Sequence, residues 1–302
     1  MLKKFDLSLK DTIEQHVLKL DYKDHNLSFT NMYMWRDMYK LSVYEDEKND
    51  FIIIFCNLNG EYFSLNPLCS LEKIDKAIEF LIKFSEAHHK PFIIHNCVRK
   101  IKERIAEKYG DFFTYELNRD SYDYLYKVEK LMTYSGKKLQ KKRNHVNNFK
   151  KNYGDRYEIK LLSANPEVLK DCIAFTKAWD ARKLERDMYI DQEVKGTIDV
   201  LNNFSKLSCE GLAIYIDGQI EAFSYGTQLN DTTAVCNVEK ANAAIAGLYP
   251  FLRQQLVTTF FDDLEYINAE DDVGDEKLRK SKLSYQPAYL VEKYTIRRKD
   301  GQ

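Results

Sequence analysis

Apolar and polar positions along the chain alternate between two periods. Residues 11–22 and 29–40 carry apolar side chains at helical spacing, and in the second segment Phe29, Met32, Tyr33, Trp35 and Met38 give two apolar faces. "KLSVYED", "DFIIIFCNLNG" and "EYFSLNPL" then read as three short strands, the last two joined by Asn59-Gly60, a tight-hairpin pair. The following "SLEKIDKAIEFLIKFSEAHHK" places Leu71, Ile74, Ile78, Leu81 and Ile82 on one face of a helix. Ser70 is its expected N-cap, and Glu72 puts negative charge in its first turn. "PFIIHNC" predicts a buried strand, 98–109 a helix, and "FFTYEL" and "YDYLYKVEKL" two closing strands.

The same order returns. Helical stretches near 167–183 and 191–206 precede "GLAIYIDGQIEAFSYGTQLNDTTAVCNVEK", which predicts three strands with a hairpin at Asp217-Gly218. A helix over 247–262, a strand at "LEYINAE", a helix over 275–284 and a final strand at "AYLVEKYTIRR" complete it. A strand meander followed by helix, strand, helix, strand thus occurs twice, which predicts a tandem of two similar α/β (α+β) domains, 1–128 and 129–302.

Charge sharpens one region. "SGKKLQKKRNHVNNFKKNYG", residues 135–154, holds seven basic residues and no acidic one, although the whole chain has a net charge of only −1. Any binding of nucleic acid is therefore confined to one face. On a helical wheel Leu139, Val146, Phe149 and Tyr153 form a buried stripe, and Lys142 falls inside it. That lysine must snorkel, pair with a carboxylate such as those at 270–272, or meet a ligand anion. The longest apolar run, "FIIIFC", is too short to span a bilayer, and the N-terminus lacks a signal-peptide core. Six scattered cysteines without CxxC spacing read as reduced core residues, so a cytoplasmic location is expected.

The chain lacks GxxxxGK[ST], GxGxxG after a strand, GxSxG, HExxH and paired CxxC, so kinase, dinucleotide, serine-hydrolase and zinc chemistries fall away. The six histidines show no ligand spacing, and no metal site is predicted. Two stretches remain. In "AVCNVEKANAAIAGLYPFL" a buried strand ends in Asn237, Val238, Glu239 and Lys240, and a helix starts near Gly247 after a run of small residues that would let a ligand approach backbone N–H groups. Alternation puts Asn237 and Glu239 on one face, Val238 and Lys240 on the other. In "YINAEDDVGDEKLRKSKLSYQP" three consecutive carboxylates, Glu270, Asp271 and Asp272, precede a helix that is acidic at its start and basic at its end. Helix stability explains the ends but not three adjacent like charges.

"YDYLYKVEKLMTYSGKKLQKKRNHVNNFKKNYG", "NVEKAN" and "INAEDDVGDEKLRKSKLSYQP" resemble soluble bacterial proteins of the phosphatidylglycerol lysyltransferase C-terminal-domain family. The resemblance implies tandem GNAT-like acyltransferase domains, with mixed sheets flanked by helices, related to the Fem-type aminoacyl transferases. It implies a donor held where the strand ending at Glu239 splays from the strand ending at Asn268, against Asn237, Val238, Lys240 and Gly247. Glu239 becomes the candidate general base and Tyr285 the candidate acid. Asn268, Glu270 and Asp272 would orient the acceptor, while Lys137, Lys141, Lys142, Arg143, Arg279 and Lys282 would meet phosphates or RNA. No tightly bound cofactor is expected, and the donor substrate is acyl-CoA or aminoacyl-tRNA. The usual acyl-CoA loop pattern is absent from "KANAAIAGL", and so is the family's membrane-spanning half.

Two readings follow. One is an acyl or aminoacyl transferase in the C-terminal domain, moving its group to an amine or hydroxyl of a small molecule, peptide or lipid head group, with tRNA as its partner. The other is a non-catalytic RNA- or anion-binding module that uses the 137–151 basic helix.

Overall fold

Asn59-Gly60 and Asp217-Gly218 both adopt positive φ, 52° and 95° in the first pair and 51° and 79° in the second. This left-handed backbone matches the twist of a two-residue hairpin and fixes both strand meanders. In the computed structural model, which describes residues 2–163, 165–181 and 187–299, each meander is the centre of a seven-stranded mixed sheet.

The first sheet contains β1 (Lys3–Lys4), β2 (Ser42–Asp46), β3 (Phe51–Leu58), β4 (Glu61–Ser64), β5 (Ile93–Val98) and β6 (Phe113–Leu117). The second contains β7 (Asp123–Lys127), β8 (Tyr157–Leu161), β9 (Cys209–Ile216), β10 (Gln219–Asn230), β11 (Thr233–Ala241), β12 (Tyr266–Asn268) and β13 (Tyr289–Val291). β14 (Lys293–Arg298) returns to the first sheet. The orders are β1-β2-β3-β4-β5-β14-β6 and β8-β9-β10-β11-β12-β7-β13. They are the same order, with the strand in the sixth position exchanged between repeats. This is the tandem architecture expected of the two repeats, mixed α/β with helices packed on mixed sheets.

The helices are α1 (Lys10–Leu18), α2 (Phe29–Trp35), α3 (Ile74–His88), α4 (Arg99–Tyr109), α5 (Val128–Thr133), α6 (Gln140–Tyr153), α7 (Pro166–Ala181), α8 (Met188–Asn202), α9 (Leu248–Phe260) and α10 (Glu276–Leu283), in the expected order apart from α5. No helix among the described residues is long and apolar enough to cross a membrane.

Several local expectations differ from the structure. Ser70 makes no side-chain cap, because the chain enters α3 through a 3-10 turn at Leu71–Lys73. The strand read over "YDYLYKVEKL" stops at Lys127 and becomes α5. "AYLVEKYTIRR" is two strands, β13 and β14, which belong to different sheets. β8 alternates Tyr157, Ile159 and Leu161 with Glu158 and Lys160, a half-buried edge pattern that was absent from the expected order.

Contacts divide the chain into Met1–Asp123, Asp271–Asp275 and Leu290–Gln302 as one unit, and Tyr124–Glu270 and Glu276–Tyr289 as the other. A linear division at 128/129 therefore differs from the observed one by the exchanged strands and by the 271–275 segment.

In the first unit β14 is fastened by a buried charge cluster. Lys293 Nζ lies 2.5 Å from Asp123 Oδ1, 2.8 Å from Asp24 Oδ1 and 3.1 Å from His25 Nδ1, and both aspartates are fully buried. His25 Nδ1 is 2.7 Å from Asp123 Oδ1, and Asn66 Nδ2 donates to Asp24 Oδ2 at 2.9 Å. Asp24, His25 and Asp123 would be suitable metal ligands by type and spacing. The Lys293 ammonium among them supplies the positive charge instead. Burial acts to raise the Asp123 carboxyl, but His25 and Lys293 outweigh it and hold it below the usual carboxylate range. Burial likewise acts to lower Lys293, and Asp123 and Asp24 reverse this.

Removing one member of such a cluster leaves an uncompensated buried charge. Asp123→Asn is expected to cost about 3–5 kcal/mol in urea unfolding at neutral pH. Because the folded-state carboxyl is depressed, the difference from wild type should be complete above about pH 5 and shrink as acid protonates Asp123 in both states.

Candidate active site

Within the second unit, β11 and β12 run parallel and pair only at Thr233↔Tyr266, Ala234↔Ile267 and Val235↔Asn268. β12 then ends. Asn268 Oδ1 accepts from the Glu270 backbone N–H at 2.7 Å, and Glu270 takes a positive φ of 58°, so the chain turns away. β11 continues to Ala241. From Cys236 onward one edge of β11 has no strand beside it among the described residues, as expected of the splay.

A bulge sits at the start of that open edge. Tyr225 faces Val238 and Gly226 faces Cys236, which leaves Asn237 as the extra residue. An extra residue reverses the pleat, so the alternation that put Asn237 on the face of Glu239 does not hold. Asn237 Oδ1 instead accepts from Thr227 Oγ1 at 3.0 Å, and its Nδ2 is buried without a partner. Val238 is buried opposite Tyr225, and its carbonyl accepts from Ser224 Oγ at 2.7 Å. Lys240 is fully buried, with Nζ 2.5 Å from Glu193 Oε1 and 3.8 Å above the Trp179 ring.

Glu239 points to the other face, toward α9. Arg253 Nε donates to Glu239 Oε1 at 2.9 Å and its Nη2 donates to Oε2, a two-point clamp. Arg253 is buried, and its Nη1 has no partner among the described residues. Burial opposes its charge, but Glu239 more than compensates and keeps it protonated. The Arg253 guanidinium lies 4.2 Å from the Tyr285 ring centre, and Lys142 Nζ lies 3.6 Å from the same centre. Tyr126 and Tyr134 enclose Tyr285 with ring centres 6.1 Å and 6.2 Å away, their hydroxyls donating to the Lys282 and Pro250 carbonyls. Burial pushes the Tyr285 phenol up to about 12. Burial, reinforced by Arg253, pulls the Lys142 ammonium down to about 8.

The structure thus gathers Glu239, Tyr285 and Lys142, and it adds Arg253, Tyr126 and Tyr134, which the sequence reading did not select. Arg253 had a legible signal: a charged side chain inside "LYPFLRQQL", a helix whose neighbouring positions are apolar. Tyr126 and Tyr134 had none, because an aromatic in a strand or helix end is ordinarily core.

The other predicted residues are distributed more widely. Gly247 begins α9 at φ 87°, and a Cβ there would meet the His145 carbonyl oxygen of α6 at 2.2 Å, so α6 and the 242–247 loop touch backbone to backbone. Lys137 and Lys141 are exposed, whereas Arg143 Nη1 donates to the Tyr134 carbonyl at 2.7 Å and closes the end of α5. Lys142 makes no ion pair with the 270–272 carboxylates; the Tyr285 ring takes that place. Lys282 Nζ donates to the Ala269 carbonyl at 2.5 Å, tying α10 to the end of β12, and Arg279 is half-buried on α10. Asn268 is fully buried and Glu270 half-buried in this unit. Asp272 belongs to the first unit, where it is buried, 3.2 Å from Arg119, and accepts from the Gly274 N–H.

A lysine with a depressed folded-state pKa destabilises the fold while it is charged. Lys142→Met should therefore stabilise the protein in chemical denaturation at pH 7. The advantage should fade between about pH 8 and pH 10, where the folded wild type loses its proton before the unfolded chain does.

Comparison with known proteins agrees with this fold. A crystal structure of a conserved Bacteroides thetaiotaomicron protein of unknown function superposes with a TM-score of 0.90 at 28% identity, covering 99% of each chain. The C-terminal domain of a putative lysylphosphatidylglycerol synthetase from Agrobacterium fabrum shares the fold, with a TM-score of 0.69 at 14% identity over 96% of this chain and 91% of that one. An uncharacterised protein of Mycoplasmoides gallisepticum is 29% identical over 187 residues, which span 60% of this chain and 58% of that protein's length. Residues 19–297 match the family described as phosphatidylglycerol lysyltransferase, C-terminal, and the chain belongs to that family.

Proposed function

We propose that the second unit is an acyl- or aminoacyltransferase whose donor lies along the open edge of β11. The observation that carries this reading is the end of β11–β12 pairing at Val235, which leaves one edge of Cys236–Ala241 without a neighbouring strand among the described residues, beside a half-buried carboxylate and a buried phenol. The donor carbonyl rests against that edge, where backbone N–H groups stabilise the developing oxyanion. The acceptor amine attacks the carbonyl carbon, and the bond to the leaving oxygen or sulfur breaks. Glu239 takes the proton of the attacking nitrogen, with Arg253 fixing its orientation. Tyr285, neutral at physiological pH and with no hydrogen bond to its hydroxyl among the described residues, gives a proton to the leaving atom.

Aminoacyl-tRNA is the donor we favour over acyl-CoA. Lys137, Lys138, Lys141, Lys150 and Lys151 are exposed along α6 and the turn before it, next to the loop that starts α9. A module that merely bound single-stranded RNA would need exposed aromatics for stacking. Here Phe149 is buried against Phe251, with ring centres 4.6 Å apart, and Tyr153 stacks on Phe149.

Paired binding of coenzyme A and bulk aminoacylated tRNA across a salt series tests the choice. Binding of tRNA should weaken steeply with salt, and neutralising Lys137 and Lys141 should reduce the salt slope by about one for each lysine that meets a phosphate. Glu239→Gln should lower transfer about 10²–10⁴-fold with the fold retained. Unchanged transfer would remove Glu239 from the mechanism, and saturable coenzyme A binding without tRNA binding would replace the donor.

A further inference from the structure

Lys142, Arg253 and Tyr285 together offer hydrogen-bond donors without acceptors. Lys142 has neither a hydrogen bond nor an ion pair among the described residues, only the face of Tyr285 at 3.6 Å. Arg253 is more than nine-tenths buried, two of its nitrogens are taken by Glu239, and its Nη1 is buried without a partner. The Tyr285 hydroxyl makes no hydrogen bond among the described residues. Two cations thus lie at 3.6 Å and 4.2 Å from the centre of one ring. Among the described residues only Glu239 offsets them, since burial keeps Tyr126, Tyr134 and Tyr285 neutral. The count is two positive charges against one negative.

This arrangement is costly in the free protein. The ring does not compensate for burying the Lys142 ammonium beside Arg253 and Lys141, because the lysine's proton affinity is still depressed despite the opposing pull of Glu239. A helix that needed only a solvated face would carry this lysine elsewhere. What is missing is an acceptor bearing about one negative charge, and the half-exposed Lys142 leaves a way in for it.

We propose that Lys142, Arg253 and Tyr285 form a receptor for an anionic oxygen group, a carboxylate or a phosphate, carried by one of the substrates of the second unit. The role assigned to that group as substrate rests on the transferase reading; the receptor itself does not. The same charge count disfavours a cationic group, such as the ammonium of a lysyl side chain, at this subsite.

The test uses the full chain with its lysines reductively methylated with ¹³C, which preserves their charge. One dimethylamine resonance, missing from Lys142→Met, should titrate near pH 8, apart from the other lysines. Inorganic phosphate or acetate should shift its midpoint to higher pH, and Lys142→Met should bind the effective anion at least about tenfold more weakly. A response to phosphate alone assigns a phosphate-bearing substrate, a response to acetate alone a carboxylate, and a response to both an oxyanion site of either kind. If neither anion moves the resonance, or if Lys142→Met binds the effective anion as tightly as wild type, the receptor does not exist. Because no transfer is measured, a protein that transfers but fails this test loses only the receptor. One that binds anions but never transfers loses only the proposed function.

Discussion

The ion pair between the half-buried Glu239 and the buried Arg253 is the constraint on which the site depends. A guanidinium inside an otherwise apolar helix face can stay charged only if a carboxylate meets it, and a carboxylate so placed cannot also be a solvated surface group. The pair joins β11 to α9 across the loop that contains Gly247. α6 is held against that loop by the close approach of the His145 carbonyl. Tyr285, Tyr126 and Tyr134 then complete a wall around the guanidinium, and Lys142 reaches it from α6. Loss of the pair would leave a buried charge on one side and loosen three elements on the other.

Much of this was legible in the chain. The two hairpin pairs, Asn59-Gly60 and Asp217-Gly218, fix the meanders because their backbone requirement is local, and the helical stripes fix which faces are buried. The anomaly at Lys142 was visible too, since a charge in an apolar arc needs a partner wherever the helix packs. The identity of that partner was not, because Tyr285 lies 143 positions away and aromatic rings carry no pairing signal. The bulge at Asn237 was equally hidden. It is defined by the register of β10 against β11, and a single inserted residue reverses the face of every neighbour without altering composition.

The strand exchange shows the same limit at larger scale. "YLYKVEK" and "YLVEKYT" look like equivalent closing strands of two consecutive domains, yet β7 lies beside β12 and β14 lies between β5 and β6. Period-two patterning says that a segment is a strand and says nothing about which sheet receives it. For β14 the choice is enforced by Lys293, whose ammonium meets Asp24 and Asp123 only in the first unit. The acidic triplet at 270–272 is resolved by a similar division. Glu270 stays with the second unit, and Asp272 turns to Arg119 in the first, so the adjacent like charges are divided between the two units.

Amide hydrogen exchange across β11 tests the central claim most directly, with coenzyme A and with bulk aminoacylated tRNA added separately. If the open edge receives the donor, one of the two should slow exchange at Cys236–Ala241 and in the loop leading to Gly247. Protection confined to α6, with Cys236–Ala241 unchanged under both, would contradict the account and leave the basic helix as the only binding surface.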